Sequence, residues 1–231
     1  MFHVKICGVT TADDARMIAA AGADAIGVNF VPGSPRCVSM EAARAVAAAA
    51  PRDVLVVGVF AGATADEIVR VARDVGLGAI QLHGHLDGPG VVDAPELCAA
   101  LAPLPVVRAL RLGEDGLAGA RRWIAEARTL GRGPDMAVVD AAVAPGTGSG
   151  GLGGTGAAVD WERLVAAGGL DIPMAIAGGL TPANVSAAIS GTGLGAVDTA
   201  SGVESAPGRK DREKVMAFVA AARRAFAEAA G

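Results

Sequence analysis

Eight short apolar runs, each followed by an amphipathic stretch, recur along this chain, and that alternation limits its fold more than any single residue does. The runs are Phe2 to Ile6, Ala25 to Phe30, Val54 to Phe60, Ala79 to Leu82, Val106 to Leu110, Met136 to Asp140, Met174 to Ala177 and Ala196 to Asp198. Most are continuously apolar, as strands buried on both faces must be, which points to a parallel sheet covered by helices. Capping chemistry fixes the order as strand, then helix. Thr10 and Thr11 signal a helix start after the first run, Thr64 with Glu67 has capping-box spacing, Asp93 with Glu96 reads the same way, and Thr181 precedes Pro182 at a first helical position. Eight such units in 231 residues match the size and rhythm of a (β/α)8 or TIM barrel, an α/β fold of eight parallel strands ringed by helices. An open doubly wound sheet alternates similarly, but the eight units and the lack of a GxGxxG motif after the first run count against it. Residues 1–231 are expected to form one domain.

Composition narrows the partner. Hydrophobic residues make up 52% of the chain and charged ones 19%, enough for a large core, while a net charge of -4 gives no electrostatic case for nucleic acid or an anionic membrane. A small molecule is the expected ligand. Cys7, Cys37 and Cys98 show no paired or metal-binding spacing, which fits a reducing compartment and no metal site. The N-terminus lacks signal-peptide organisation, and no run nears the roughly 18 apolar residues of a membrane span, so a cytoplasmic location is expected. The alanine-rich stretch Ala42 to Ala50 keeps helical charge spacing and reads as a surface helix. No exposed apolar patch can be argued from the pattern, so a monomer is preferred.

In a (β/α)8 barrel the loops after the strands share one face, where active sites are built. Cys7, Asn29, Arg36, Gln81, His83, Arg108, Asp140 and Asp198 all fall at or just beyond strand ends. Cys7 stands out. Free cysteine usually behaves as a small buried hydrophobe, but this thiol lies where the first strand turns toward its helix. Glycines follow the last three strands as Gly153-Gly154-Thr155-Gly156, Gly178-Gly179 and Ser201-Gly202, the first group closing a long irregular stretch from Ala141. Glycine lets backbone amides approach an anion, and neighbouring late loops of such barrels commonly hold phosphate. A phosphorylated substrate is therefore expected.

The motifs KICGVT, GADAIGVNFVPGSPRCVS, VGVF, QLHG, GGTG followed by DW, AGGLTPANV and SGVESAPGRKD run in order from residue 5 to residue 211. Together they resemble the phosphoribosylanthranilate isomerase family of tryptophan biosynthesis. The resemblance implies the barrel fold and an aldose–ketose isomerase, an intramolecular oxidoreductase that carries out an Amadori rearrangement without cofactor or metal. By the family pattern Cys7 is the general base and Asp140 the general acid. Arg36 would hold the anthranilate end of the substrate, and Asp198 would line the same pocket. Phosphate binding would fall on Gly154, Thr155, Gly179, Ser201 and Gly202. The chain departs from the pattern at Asn29, at Thr199 and Ala200, and in a longer loop from Ala141 to Gly153.

The chemistry fits those residue types. Ring opening needs a proton for the sugar oxygen, and rearrangement needs a proton removed from the second sugar carbon, so one acid and one base suffice. A free thiol has a pKa of about 8.5 and a free aspartate one of about 3.9, so each requires help from its surroundings. Alternation is ambiguous at the end of the first strand, so Lys5 cannot be assumed to help. Arg36 offers a bidentate match to a carboxylate, against the alternative of a surface ion pair. His83 is a substrate-binding candidate, set against a supporting hydrogen-bonding role in the core. His3 and His85 read as structural or solvated, Cys37, Cys98, Trp123 and Trp161 as packing residues, and the charge run Arg209 to Lys214 as a solvated helix start. A histidine-pathway isomerase barrel is the nearest rival, but that family uses an aspartate where this chain has Cys7. A silent phosphosugar-binding protein is a second rival, and the retention of Cys7 and Asp140 argues against it.

Overall fold

The computed structural model describes residues 1–86, 90–113, 115–140 and 161–229. Eight parallel strands close into a barrel in sequence order: β1 (Val4–Ile6), β2 (Ala25–Asn29), β3 (Leu55–Phe60), β4 (Ala79–Leu82), β5 (Val106–Arg111), β6 (Met136–Asp140), β7 (Met174–Ala177) and β8 (Ala196–Thr199). Each lies within a residue or two of its apolar run. Closure comes from β1 pairing with β8, in register Lys5 to Asp198.

Alternation along the strands sorts side chains into two cores. Val4, Ile6, Ile26, Val28, Ile80 and Leu82 face outward and pack with the helices. Ala25, Val57, Ala79, Val107, Met136, Val138, Ala175, Ala177 and Ala196 fill the barrel interior. Many of the inward residues are small, which leaves room at the top for a ligand.

The helices are α1 (Ala12–Ala20), α2 (Met40–Ala49), α3 (Ala65–Val75), α4 (Leu97–Ala100), α5 (Ala118–Thr129), α6 (Trp161–Ala166), α7 (Val185–Thr192) and α8 (Arg212–Ala229). Thr11 caps α1, and Thr64 with Glu67 forms the expected capping box on α3. Two expected helix starts are displaced. α4 begins at Leu97 without a side-chain cap, because the Asp93 carboxylate is taken by the backbone amides of Gly62 and Gly84. α7 begins at Val185, because Asn184 Oδ1 accepts from the Thr181 amide and holds residues 181–184 in a turn. Between β8 and α8 the chain inserts a 3-10 turn, Ser201–Val203, and an antiparallel hairpin of β9 (Glu204–Ala206) and β10 (Arg209–Lys210). Among the described residues no helix is long and apolar enough to cross a membrane.

Candidate active site

A cavity of about 340 Å³ opens at the C-terminal ends of the strands. All eight barrel strands contribute to it, at or just beyond their ends: Cys7 just beyond β1, Asn29, Val59, Gln81, Ala109, Asp140, Ala177 and Asp198 among them. Cys7 and Asp140 share this cavity, with β7 and β8 between their strands. The Cys7 amide donates to the Thr199 carbonyl at 2.7 Å, which extends the β1–β8 ladder one residue and anchors the thiol. Gly27 makes room for it, since a Cβ there would stand 2.6 Å from Cys7 Sγ.

Lys5 points inward, two residues before Cys7 and on the same face. It is fully buried, and its Nζ lies 2.8 Å from Asp198 Oδ2. Burial alone would lower the Lys5 ammonium, but the Asp198 charge and then contact with Cys7, including a hydrogen bond, raise it above its ordinary value. On Asp198 burial is the larger effect and pushes the carboxyl up, against the pull of Lys5 and Lys210. The two shifts oppose each other, and the 2.8 Å contact decides for an ion pair at neutral pH. Asp198 Oδ1 and Gln81 Oε1 are both buried without a hydrogen-bond partner among the described residues, and both residues line the cavity. They are acceptors in reach of a polar ligand.

Arg36 meets Glu204 through two bonds, Nε to Oε1 at 2.9 Å and Nη2 to Oε2 at 2.7 Å. The pair is largely buried rather than on the surface. Gly8, at a φ of 72°, lets the Arg36 side chain pass, because a Cβ would fall 2.3 Å from Arg36 Cδ. Lys210 completes the group: its Nζ donates to Glu204 Oε1 at 2.8 Å, to the Cys7 carbonyl at 2.7 Å and to the Ala200 carbonyl at 3.1 Å. The charge run Arg209 to Lys214 is thus only partly solvated, since the hairpin turns Lys210 inward. Burial alone would raise the Glu204 carboxyl, and hydrogen bonds from Arg36 and Lys210 hold it below its ordinary value.

His83 lines the cavity with Nδ1 3.2 Å from Gln81 Nε2. Burial, then the charges of Lys5, Arg108 and Arg111, push its pKa down to about 4, so the ring is neutral at physiological pH. Arg108 does not reach the cavity. It is fully buried on the outer, helix-facing side of β5 against Trp123, with Nη1 on the Leu82 carbonyl and Nη2 on the Gly84 and His85 carbonyls. Asn29, a departure from the family pattern, lines the cavity and holds its own loop, accepting from the Val31 amide and donating to Ser34 Oγ.

Gly179 and Ser201 also line the cavity. Gly202 instead packs against the Leu180 carbonyl, where a Cβ would fall 1.7 Å from the oxygen, and Thr199 Oγ1 donates to the same carbonyl. The two loops are thereby fixed to one another. Gly154 and Thr155 lie outside the described residues. Cys98 is buried, as a packing residue should be, but Cys37 is exposed. Lys5, Glu204 and Lys210 are the groups that sequence reasoning did not place in the site; the spacing of Lys5 from Cys7 was the available signal for the first. Among the described residues no cluster of three or more His, Cys, Asp or Glu could hold a metal ion.

A thiol, carboxylates, an imidazole and a guanidinium that meet at strand ends in one cavity define a (β/α)8 barrel with an enzyme-like site for a small molecule. Similarity to known proteins narrows that class. Residues 4–221 match the family model of N-(5'phosphoribosyl)anthranilate (PRA) isomerase. The N-(5'-phosphoribosyl)anthranilate isomerase of Myxococcus xanthus is 42% identical over 222 residues, covering 96% of each chain. The solved phosphoribosyl anthranilate isomerase of Thermotoga maritima superposes with a TM-score of 0.77 at 33% identity, over 97% of this chain and all of the other. A solved phosphoribosyl anthranilate isomerase in complex with reduced 1-(o-carboxyphenylamino)-1-deoxyribulose 5-phosphate gives a TM-score of 0.72 at 31% identity, over 97% of this chain and 100% of that one. The chain belongs to the N-(5'-phosphoribosyl)anthranilate isomerase family.

Proposed function

We propose that this barrel converts N-(5'-phosphoribosyl)anthranilate into 1-(2-carboxyphenylamino)-1-deoxyribulose 5-phosphate, a step of tryptophan biosynthesis, with Cys7 as general base and Asp140 as general acid. The observation that carries the reading is that both residues line one cavity at the barrel mouth. Protonation of the ring oxygen by Asp140 lets its bond to C1' break, leaving an iminium between C1' and the anthranilate nitrogen. The Cys7 thiolate then takes the proton from C2', and the released electron pair neutralises the iminium as an enolamine. Tautomerisation moves a proton to C1' and removes one from the C2' oxygen, giving the aminoketone. Lys5, Arg36 and Lys210 are cations close enough to Cys7 to interact with its charge.

Glu204 occupies Nε and one Nη2 proton of Arg36, so the remaining N–H groups are the donors for the anthranilate carboxylate. Asp198 Oδ1 and Gln81 Oε1 are acceptors for sugar hydroxyls, and neutral His83 lends a ring face or a hydrogen bond without adding charge. Gly179, Ser201 and Gly202, with Gly154 and Thr155, are the phosphate side. The same reading takes the protein as a cytoplasmic monomer, which light scattering at assay concentration checks for the oligomeric part.

The test follows the loss of anthranilate-type fluorescence when purified protein meets phosphoribosylanthranilate. Turnover by the wild type is expected, and its absence refutes the assignment. Cys7→Ser and Asp140→Asn should each lose at least about 100-fold in kcat. A near-normal rate in either variant removes that residue from its role.

A further inference from the structure

The hairpin between β8 and α8 brings two buried charges back to the barrel mouth. All three hydrogen bonds of the Lys210 ammonium end on groups of the site or its loops: the carbonyl of Cys7, the carbonyl of Ala200 and the carboxylate of Glu204. Glu204 in turn holds Arg36 through both of its oxygens and accepts from the Gly208 amide at 3.3 Å. Thr10 Oγ1 closes the arrangement from the first loop, donating to the Gly208 carbonyl at 2.6 Å. One ion pair thus touches the backbone of the thiol residue at one end and the guanidinium at the other. Burying a lysine is costly unless its donors are satisfied, and a hairpin that only linked β8 to α8 would have no use for one.

We propose that Glu204 and Lys210 form a yoke that fixes Cys7 relative to Arg36, with Lys210 the positioning residue for the base and Glu204 the positioning residue for the carboxylate-binding arginine. Two steps of the reaction are served by one device. The proton on C2' reaches the thiol only when the anthranilate carboxylate is seated, because both partners hang from the same pair, and misplacement by about 1 Å costs on the order of 100-fold in rate. Charge supports the arrangement. Lys5, Arg36 and Lys210 are three cations against the two carboxylates Asp198 and Glu204, so one positive charge is left beside Cys7, which enters the reaction as the anionic base.

This inference rests on the roles given to Cys7 and Arg36, which wild-type turnover tests by itself; the alkylation of Cys7 reads the yoke without turnover. Steady-state kinetics, thermal melts and the peptide-mapped rate of iodoacetamide alkylation are measured for wild type, Lys210→Met, Lys210→Arg and Glu204→Gln. Exposed Cys37 is the internal reference for Lys210→Met. Lys210→Met is expected to slow Cys7 alkylation and kcat at least ~10-fold with KM within about threefold, and Lys210→Arg to recover most of both. Glu204→Gln is expected to raise KM at least ~10-fold with a smaller effect on kcat. Alkylation and kcat of Lys210→Met within twofold of wild type, or a Lys210→Arg variant no better than Lys210→Met, overturns the proposal. If Lys210→Met does not fold, an unchanged KM in Glu204→Gln overturns it and a selective rise in KM supports it.

Discussion

Two clusters of buried charge sit on opposite sides of the barrel, and they are built from different partners. On the β4–β5 side, Arg108 donates to three backbone carbonyls, stacks 4.9 Å from the Trp123 ring centroid and stands 3.5 Å from Asp93. Asp93 accepts from two backbone amides, and the Trp123 indole donates to its carbonyl. On the β1–β8 side, Lys5, Asp198, Arg36, Glu204 and Lys210 mostly meet one another, and Asp198 keeps one oxygen without a partner among the described residues at the cavity wall. A charge tied to backbone groups sets the course of a loop. A charge tied to other side chains, with an atom to spare, is available to a ligand. Burial brings the Arg108 pKa down to about 10, partly offset by Asp93, so it is still a cation at neutral pH, but one with no access to substrate.

The largest expected effect tests that division. Arg108→Met leaves the Asp93 charge and three carbonyls without their donor, and should cost about 3 to 5 kcal/mol, a fall in Tm on the order of 10 °C. Turnover per folded molecule should stay within about tenfold. Lys5→Met should show the reverse: a loss of about 100-fold in kcat with a smaller fall in Tm, because Asp198 can accept a proton at the cavity wall once its partner is gone. Calorimetry and kinetics on the two variants give both readouts. If Arg108→Met loses mainly turnover, or Lys5→Met mainly stability, the two sides have been assigned the wrong way round.

A smaller effect probes how closely the β1 side is fitted. Gly27→Ala would set its Cβ 2.6 Å from Cys7 Sγ and 3.0 Å from Cys7 Cα, so Cys7 must shift. A loss of at least ~10-fold in kcat is expected, with KM nearly unchanged because Arg36 is held elsewhere. Normal kcat would mean that the position of the thiol is not critical.

These contrasts also mark what could be read from residue order. The strands were legible because continuous apolar runs leave few alternatives, and Thr64 with Glu67 was legible because a capping box is local. Asp93 with Glu96 has the same spacing but a different fate, because the Gly62 amide from the loop after β3 and the Gly84 amide from the start of its own loop captured the carboxylate. That Cys7 and Asp140 stand at one barrel mouth was legible from their strand ends. Arg36, Glu204 and Lys210 form one group although Glu204 lies 168 residues from Arg36, so a charge run that reads as solvated became part of the mouth. Lys5 was the missed opportunity: two residues from Cys7 on one strand, it had to share the inward face once the thiol was placed there.

The smallest expected effect concerns His83, which lies between the two clusters and feels the cations of both. Its folded pKa of about 4 is below the unfolded value of about 6.5, so the folded state prefers the neutral ring. That preference contributes stability above pH 6.5 and is lost as pH falls from there toward 4, where the unfolded chain binds a proton that the fold does not. Allowing for cavity water near the ring, the contribution is on the order of 1 kcal/mol. Denaturation across this window should therefore show a decline that His83→Gln reduces. An identical decline in the variant would show that the cations of the two clusters do not act on this ring. Since Lys5 exerts the largest charge effect on the ring and Arg108 the next, repeating the titration in Lys5→Met and Arg108→Met tells which cluster dominates, and the larger relief is expected from Lys5→Met.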